Sequence, residues 1–411
     1  MLRSWRAVAA RFRALLRTDA PGIRAGFVAL LISSGGDLLA GLTLGSITGT
    51  LTALPGLLVL VPAAIGMRGN VFGALGSRLS TVIHTGTFQL SRRRDTVVGQ
   101  NLAAAISLSL SISLVLAMLA KVISVGFGLD RTISIADFVV ISVIGGFLSS
   151  IVVMAITVGV ATLSVRRDWD LDNVAAPIVT AAGDIVTLPA LFFATYLVGL
   201  AWITPIVAVL CAVAALMSLV ASVRAHEPVL RRIVRESVPV LVVAGTIDIV
   251  AGLTIEKRFS SFITYPALLV LVPPFLEDSG ALGGILSARV ATKLHLGTLD
   301  TRRWRLRAVA DDVLLVFLYA VPVFLLLGVS ADIASAIAGL ESPGSLEMIA
   351  ASMLAGAVAT AFAVLVGFYG AVASYRLGLD PDNHAIPIVT SSLDLVGAVA
   401  LILAIVSLGL T

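Results

Sequence analysis

The sequence predicts an all-α integral membrane protein: about eleven transmembrane helices, forming two parallel five-helix repeats joined by a linking helix. Three observations predict it. Of 411 residues, 58% are hydrophobic and only 13% charged, with a mean hydropathy of +1.06, whereas a soluble domain is about a quarter charged. The basic residues are lopsided along the chain. A long segment of the first half also returns in the second. The single cysteine, Cys211, excludes an intrachain disulfide framework and a thiolate metal cluster, and in its apolar run it reads as a small packing residue.

Taken in order, residues 1–24 place Arg3, Arg6, Arg11, Arg13, Arg17 and Arg24 among Trp5, Phe12, Leu15 and Leu16. No uninterrupted apolar stretch of signal-peptide length follows at once, so residues 1–25 read as a basic amphipathic segment on the cytoplasmic leaflet. Apolar runs of spanning length then fall at roughly 26–49, 51–66, 97–125, 133–165, 171–201, 204–223, 237–257, 262–276, 308–329, 345–375 and 384–410. The second and eighth are short and carry Pro55 and Pro62, or Pro266, Pro273 and Pro274, as helices broken beside transport sites do. With the N-terminus cytoplasmic, 24 of the 28 Lys and Arg residues lie on the cytoplasmic side, leaving Lys121, Arg131, Lys257 and Arg258 outside. That asymmetry predicts an odd number of spans in a multi-pass cell-membrane protein, N-terminus in and C-terminus out.

Residues 37–86 (DLLAGLT…PGLLVLVP) match 248–297 (DIVAGLT…PALLVLVP) at an offset of 211, with 19 of 50 positions identical, including Arg78/Arg289 and His84/His295. Such self-similarity marks a duplicated transport fold. The domains are read as residues 26–202 (repeat 1), 203–236 (the linking helix and a cytoplasmic linker) and 237–411 (repeat 2). Five spans plus the unpaired helix at 204–223 make an even number, so both repeats enter the membrane from one side and run parallel.

A second pair of matched stretches carries the chemistry. Residues 170–184 read DLDNVAAPIVTAAGD and 380–394 read DPDNHAIPIVTSSLD. Each sets an Asp-Asn pair (Asp172-Asn173, Asp382-Asn383) at a helix mouth, then a proline (Pro177, Pro387), a threonine (Thr180, Thr390) and one carboxylate, Asp184 or Asp394. Asp37 and Asp248 are matched in the same way. At about 1.5 Å per residue, Asp37 and Asp184 lie roughly 16 Å deep in a core of ~30 Å. An acid at a helix centre costs roughly 2.5 kcal/mol or more, and no Lys or Arg is expected at similar depth. The expected partner is a cation that comes and goes. Asp184, Asp394, Asp37 and Asp248, with Thr180 and Thr390 one turn before two of them, form an all-oxygen set suited to a hard cation such as Mg²⁺, which keeps several waters. No His/Cys cluster of the kind zinc or copper prefers lies in the spans.

Structural alternatives stand beside this reading. A buried Asp can pack against a neighbouring helix through hydrogen bonds, and glycines around Asp37 and Asp248 suit close packing. Thr180 and Thr390 can bond the carbonyl one turn back. Pro177 and Pro387 can bend or start helices. His84 and His295 are placed in cytoplasmic loops, and Arg78 and Arg289 against headgroups or as caps of the short helices. An intramembrane aspartyl protease also needs two membrane aspartates, but matched acids in equal repeats argue against unequal acid and base roles, so no enzyme is expected.

The motifs DLDNVAAPIVTAAGD and DPDNHAIPIVT, together with LVLVPAAIGMRGN and GSRLST, resemble the solute carrier family 41 and MgtE magnesium transporters, over residues 26 to 411. The resemblance implies a Mg²⁺ pathway between two five-helix repeats, with Asp184 and Asp394 as the central acids. The MgtE branch is similar to one such repeat working as a parallel homodimer, so this chain resembles a fused version that acts as a monomer. No long soluble N-terminal or cystathionine-synthase-type domain is expected, and the magnesium-sensing plug goes with it. Where the first repeat has GMRGN (66–70) the second has EDSGA (277–281), which removes Asn70 as a symmetric ligand and adds Glu277 and Asp278 as acids at the cytoplasmic mouth. The expected partners are a divalent cation, Mg²⁺ first and Mn²⁺ or Co²⁺ as alternatives, the bilayer, and Na⁺ or H⁺ if transport is coupled. No nucleic acid and no prosthetic group is expected. Reporter fusions at Met1 and Thr411 test the topology: they should report opposite sides of the membrane, and a shared side contradicts the parallel arrangement.

Overall fold

A computed structural model of the chain describes residues 20–91, 93–129, 131–167, 171–299, 306–378 and 385–410. The described residues form helices and connecting turns, with no strand among them. The first half contains α1 (Ala20–Ser46), a short α2 (Thr48–Ala53), α3 (Leu57–His84) and α4 (Val97–Gly126). It continues through α5 (Ile135–Val140), a π-turn (Ile141–Gly145) and α6 (Gly146–Arg167) to α7 (Leu171–Ala194). After α8 (Ile203–Val223) come α9 (Pro228–Glu256), a short α10 (Phe259–Thr264), α11 (Ala267–His295), α12 (Ala310–Ile337), α13 (Ser345–Leu377) and α14 (Ile386–Ser407). Among the described residues, eleven helices are long and apolar enough to cross a membrane, the run Ile135–Arg167 counting as one. The chain is an all-α, multi-pass membrane protein.

Two of these helices differ from expectation. The second and eighth spans are not short broken segments: each is a six-residue helix followed by a continuous helix of 28 or 29 residues. Pro62, Pro273 and Pro274 lie inside α3 and α11 without ending them. In a bilayer such helices persist because neighbouring helices re-satisfy the freed backbone groups. Sequence reading ended these spans where charge begins, at Met67-Arg68 and Glu277-Asp278, but the helices run on to His84 and His295.

The extension moves several residues. His84 and His295 are the last residues of α3 and α11, not members of loops. His295 Nδ1 lies 2.8 Å from the Ala291 carbonyl, and its ring meets Tyr375 edge-on. Arg78 and Arg289 each tie two long helices together. Arg78 Nε donates to Asn101 Oδ1 at 2.9 Å, tying α3 to α4, while Arg289 Nε donates to Asp312 Oδ1 at 2.9 Å, tying α11 to α12. Lys293 also pairs with Asp312.

Helix ends are fastened locally. The Thr96 hydroxyl accepts from Gly99 N at 3.1 Å at the start of α4, and Ser134 with Asp137 forms a reciprocal capping box at α5. Gly56 precedes α3 with φ at +92°, a conformation L side chains rarely adopt. Its N–H donates to Glu256 Oε1 at 2.7 Å, so a carboxylate from the end of α9 sits at the positive end of α3.

That bond is one of several crossings between the halves. α1 packs against α7 of its own half and α11 of the other; α9 packs against α14 and α3. Glycine permits both crossings. A Cβ on Gly41 would strike the Val270 carbonyl oxygen, and one on Gly252 would come within 2.5 Å of the Val59 carbonyl oxygen. Apolar lipid supplies no hydrophobic drive for helix association, so close backbone contact of this kind carries much of the packing. α8 packs against α4 and α5 and is the least buried spanning helix.

Because the obstructing atoms are backbone, Gly41→Ala and Gly252→Ala should each destabilise the protein by about 1–3 kcal/mol, the cost of overpacking. Gly35→Ala, with nothing within 4 Å of its added Cβ, should be neutral or slightly stabilising. Thermal melting in detergent checks this, with lower midpoints expected only for the two crossing glycines.

Candidate ion-binding site

The matched acids meet first as pairs. In the first half the carboxylates of Asp37 on α1 and Asp184 on α7 adjoin; in the second, those of Asp248 on α9 and Asp394 on α14 do the same. Helix packing explains the pairing, since α1 lies along α7 and α9 along α14. Asp37, Asp184 and Asp248 are buried to 2% exposure or less. No donor reaches either oxygen of Asp37 or Oδ2 of Asp184, and Asp248 has only the Ser391 hydroxyl beside it, outside good hydrogen-bond geometry. Buried carboxylate oxygens without donors are rare enough to need an explanation.

Glu277 and Asp278 on α11 complete the cluster. Sequence reading put them at the cytoplasmic mouth. Because α11 continues to His295, they lie about 15 Å from its start at Ala267, near mid-bilayer. Asp278 is fully buried and accepts from the Ser34 hydroxyl at 2.7 and 3.0 Å. Glu277 is within electrostatic range of Asp184, Asp248, Asp278 and Asp394. It therefore bridges the two aspartate pairs, and Asp184 and Asp394 also lie within range of each other. The first half has Gly66 in place of Glu277. A Cβ there would lie 2.9 Å from Asp248 Oδ2 and 3.9 Å from an Asp394 oxygen, so the second pair is seated against bare backbone of α3.

One expectation about charge is corrected. A basic residue does lie inside a span: Arg68 on α3 is 1% exposed. The sequence alone hides it, because charge at residue 68 reads as the end of the second span. Its guanidinium is held away from the acids, with Nε donating to Ser149 Oγ at 3.0 Å and Nη1 to the Ala64 carbonyl at 3.3 Å. Nη2 points toward Gly146 and Ser113. No ion pair joins Arg68 to a carboxylate among the described residues.

The threonines sit one turn before the acids. Thr390 Oγ1 donates to the Ile386 and Pro387 carbonyls at 3.0 and 3.1 Å, as its structural alternative has it. A hydroxyl donating in this way keeps its lone pairs free to accept or to ligate. Thr180 is half-buried. The side chains of Asp172, Asn173 and Pro177 lie outside the described residues, as do Asp382, Asn383 and the basic segment before residue 20.

A cavity of about 20 Å³ lies between α3 and α11, lined by Pro62, Ile65, Gly66, Pro273, Glu277 and Asp394. It is large enough for about one water. A second of the same size, bordered by Asn70, Arg78 and Pro387, lies farther along α3. No three His, Cys, Asp or Glu side chains among the described residues converge closely enough to form a ready-made direct metal cage. Chemically the cluster offers oxygen atoms only, high negative charge and few donors, which suits a hard cation holding part of its water.

Comparison with known proteins gives one family model and a set of relatives. The MgtE model, described as a divalent cation transporter, matches residues 61–194 and again 272–404. Solute carrier family 41 member 3 of Rattus norvegicus is 26% identical over 406 residues, covering 90% of this chain and 84% of that protein. Its Mus musculus counterpart is 27% identical, covering 83% and 73%. Solute carrier family 41 member 2 of Homo sapiens is 27% identical, covering 84% and 63%. No solved structure matches.

Proposed function

Since the chain belongs to the MgtE family of divalent cation transporters, we propose that it carries Mg²⁺ across the cell membrane between its two halves. The intramembrane acids hold the ion. The family consists of transporters, not enzymes, and the two-aspartate protease reading is set aside with it. The observation that carries the proposal is that Asp37, Asp184, Asp248, Glu277, Asp278 and Asp394 form one network of carboxylates within electrostatic range, two of which, Glu277 and Asp394, line the α3–α11 cavity.

Six carboxylates with no ion-paired cation among the described residues repel one another and are poorly solvated in a low-dielectric interior. A divalent cation relieves both costs at once. Mg²⁺ dehydrates reluctantly and takes one or two carboxylates directly, the rest through water. That preference matches acids arranged as pairs instead of a tight cage. Thr180 and Thr390 add hydroxyl oxygens on the acid-bearing faces of α7 and α14. A cavity that holds about one water does not admit a hydrated ion, so α3 and α11 part for the ion to reach the acids and close behind it.

The halves act as parallel repeats, residues 26–202 and 237–411, joined by 203–236. Two features support this: the family model matches twice, about 211 residues apart, and α1 and α9 make corresponding contacts. Each half supplies one aspartate pair to a shared site, so a single chain suffices. Met1 is cytoplasmic and Thr411 extracytoplasmic, as the basic asymmetry requires.

Asp184→Asn and Asp394→Asn preserve size while each removes one charge. Proteoliposome uptake of Mg²⁺ should fall at least tenfold in either. Wild type should gain thermal stability with Mg²⁺ by mass action, and the double variant should not. Wild-type-like uptake by the double variant would place the ion elsewhere; near-normal transport in all three variants would make the acids packing residues only.

A further inference from the structure

A large cavity has none of the acids in its lining. It measures about 1030 Å³ and lies between α4, α6 and α8, at the top of the ~300–1,000 Å³ range of small-molecule sites. Its walls are apolar over most of their length, from Leu102 and Ile106 on α4 and from Ile151, Met154 and Val158 on α6. At one end stand Arg94, before the first turn of α4, and Arg166, in the last turn of α6. Neither arginine has a hydrogen bond or ion pair among the described residues.

From Ile151 to Arg166 the groove runs about 22 Å along α6, more than the ~15 Å thickness of one hydrocarbon leaflet. It thus joins the headgroup level to the bilayer interior. A hydrated cation gains nothing from such walls, and the arginines repel it. The complementary molecule has hydrocarbon chains at one end and a phosphate at the other. Guanidinium groups are forked donors suited to phosphate oxygens, and Arg94 and Arg166 lie on the side that carries most of the chain's basic residues. The third wall is α8, through Ser218, Ala221 and Ser222.

We infer that the α4–α6–α8 groove is a binding site for one anionic phospholipid of the cytoplasmic leaflet, its phosphate on Arg94 and Arg166 and its chains along α4 and α6. The site is independent of the ion pathway.

Native mass spectrometry of the purified full chain tests it, with phosphatidylglycerol and phosphatidylcholine in competition. Basic side chains near a membrane surface contribute enough each that two should favour phosphatidylglycerol by roughly ten- to thirty-fold in wild type. Arg94→Gln/Arg166→Gln should lose the preference while still retaining phosphatidylcholine. Gly159→Leu fills the groove, since a Cβ there meets nothing within 4 Å; it should lose both lipids with its lipid-free melting temperature unchanged. If that variant melts early, Ala155→Leu on the same wall serves instead. Equal retention of phosphatidylglycerol by wild type and the double Arg variant overturns the headgroup assignment. Retention by a folded groove-filled variant overturns the site. An equal thermal shift with inorganic phosphate alone overturns the lipid as occupant.

Discussion

Carboxylates buried within the spans, with no basic partner among the described residues, are the constraint on which the rest of this structure depends. Each is costly at that depth, and six within electrostatic range multiply the cost through mutual repulsion. Arg68 passes close to Asp184, its Cβ 3.5 Å from where a Cβ on the neighbouring Gly183 would stand, yet Ser149 and the Ala64 carbonyl bind its guanidinium. A fixed arginine among the acids would remove the need for a mobile cation. Its displacement is what an ion-binding site requires.

The same constraint explains the packing. Bringing acids from α1, α7, α9, α11 and α14 to one level needs helices of both halves to cross closely, and side chains at those crossings would hold them apart. Gly41 and Gly252 let α1 and α9 rest on the opposite half's backbone, while Gly66 leaves room for the Asp248–Asp394 pair. The two halves are not identical here. Glu277 and Asp278 stand where the first half has Gly66 and Met67, so at this level α11 presents acids and α3 presents bare backbone at Gly66.

Much of this was legible in the sequence. Eleven apolar runs, the matched offsets and the acids at mid-span are one-dimensional signals, and they identify the spans and four of the six acids. The ends of α3 and α11 were not legible, because charge inside a helix reads as the end of a span unless tertiary burial is known. That one error placed Glu277 and Asp278 outside the site, Arg68 outside the membrane, and His84 and His295 in loops. The offset of 211 carried a usable hint: Pro62 and Pro273 match within runs that continue to align through Arg78 and Arg289, which a helix ending at residue 66 would not explain. Which acids pair could not be read from spacing, since it depends on α1 lying along α7 and α9 along α14.

Mn²⁺ is similar to Mg²⁺ in its preference for oxygen ligands and is visible by anomalous scattering. A crystal of the full chain grown with Mn²⁺ should show an anomalous peak between α3 and α11 at the level of Glu277, within reach of at least one carboxylate from each aspartate pair. Peaks confined to the helix ends, with the six acids bonded only to one another and to water, would contradict an ion-binding role for the cluster.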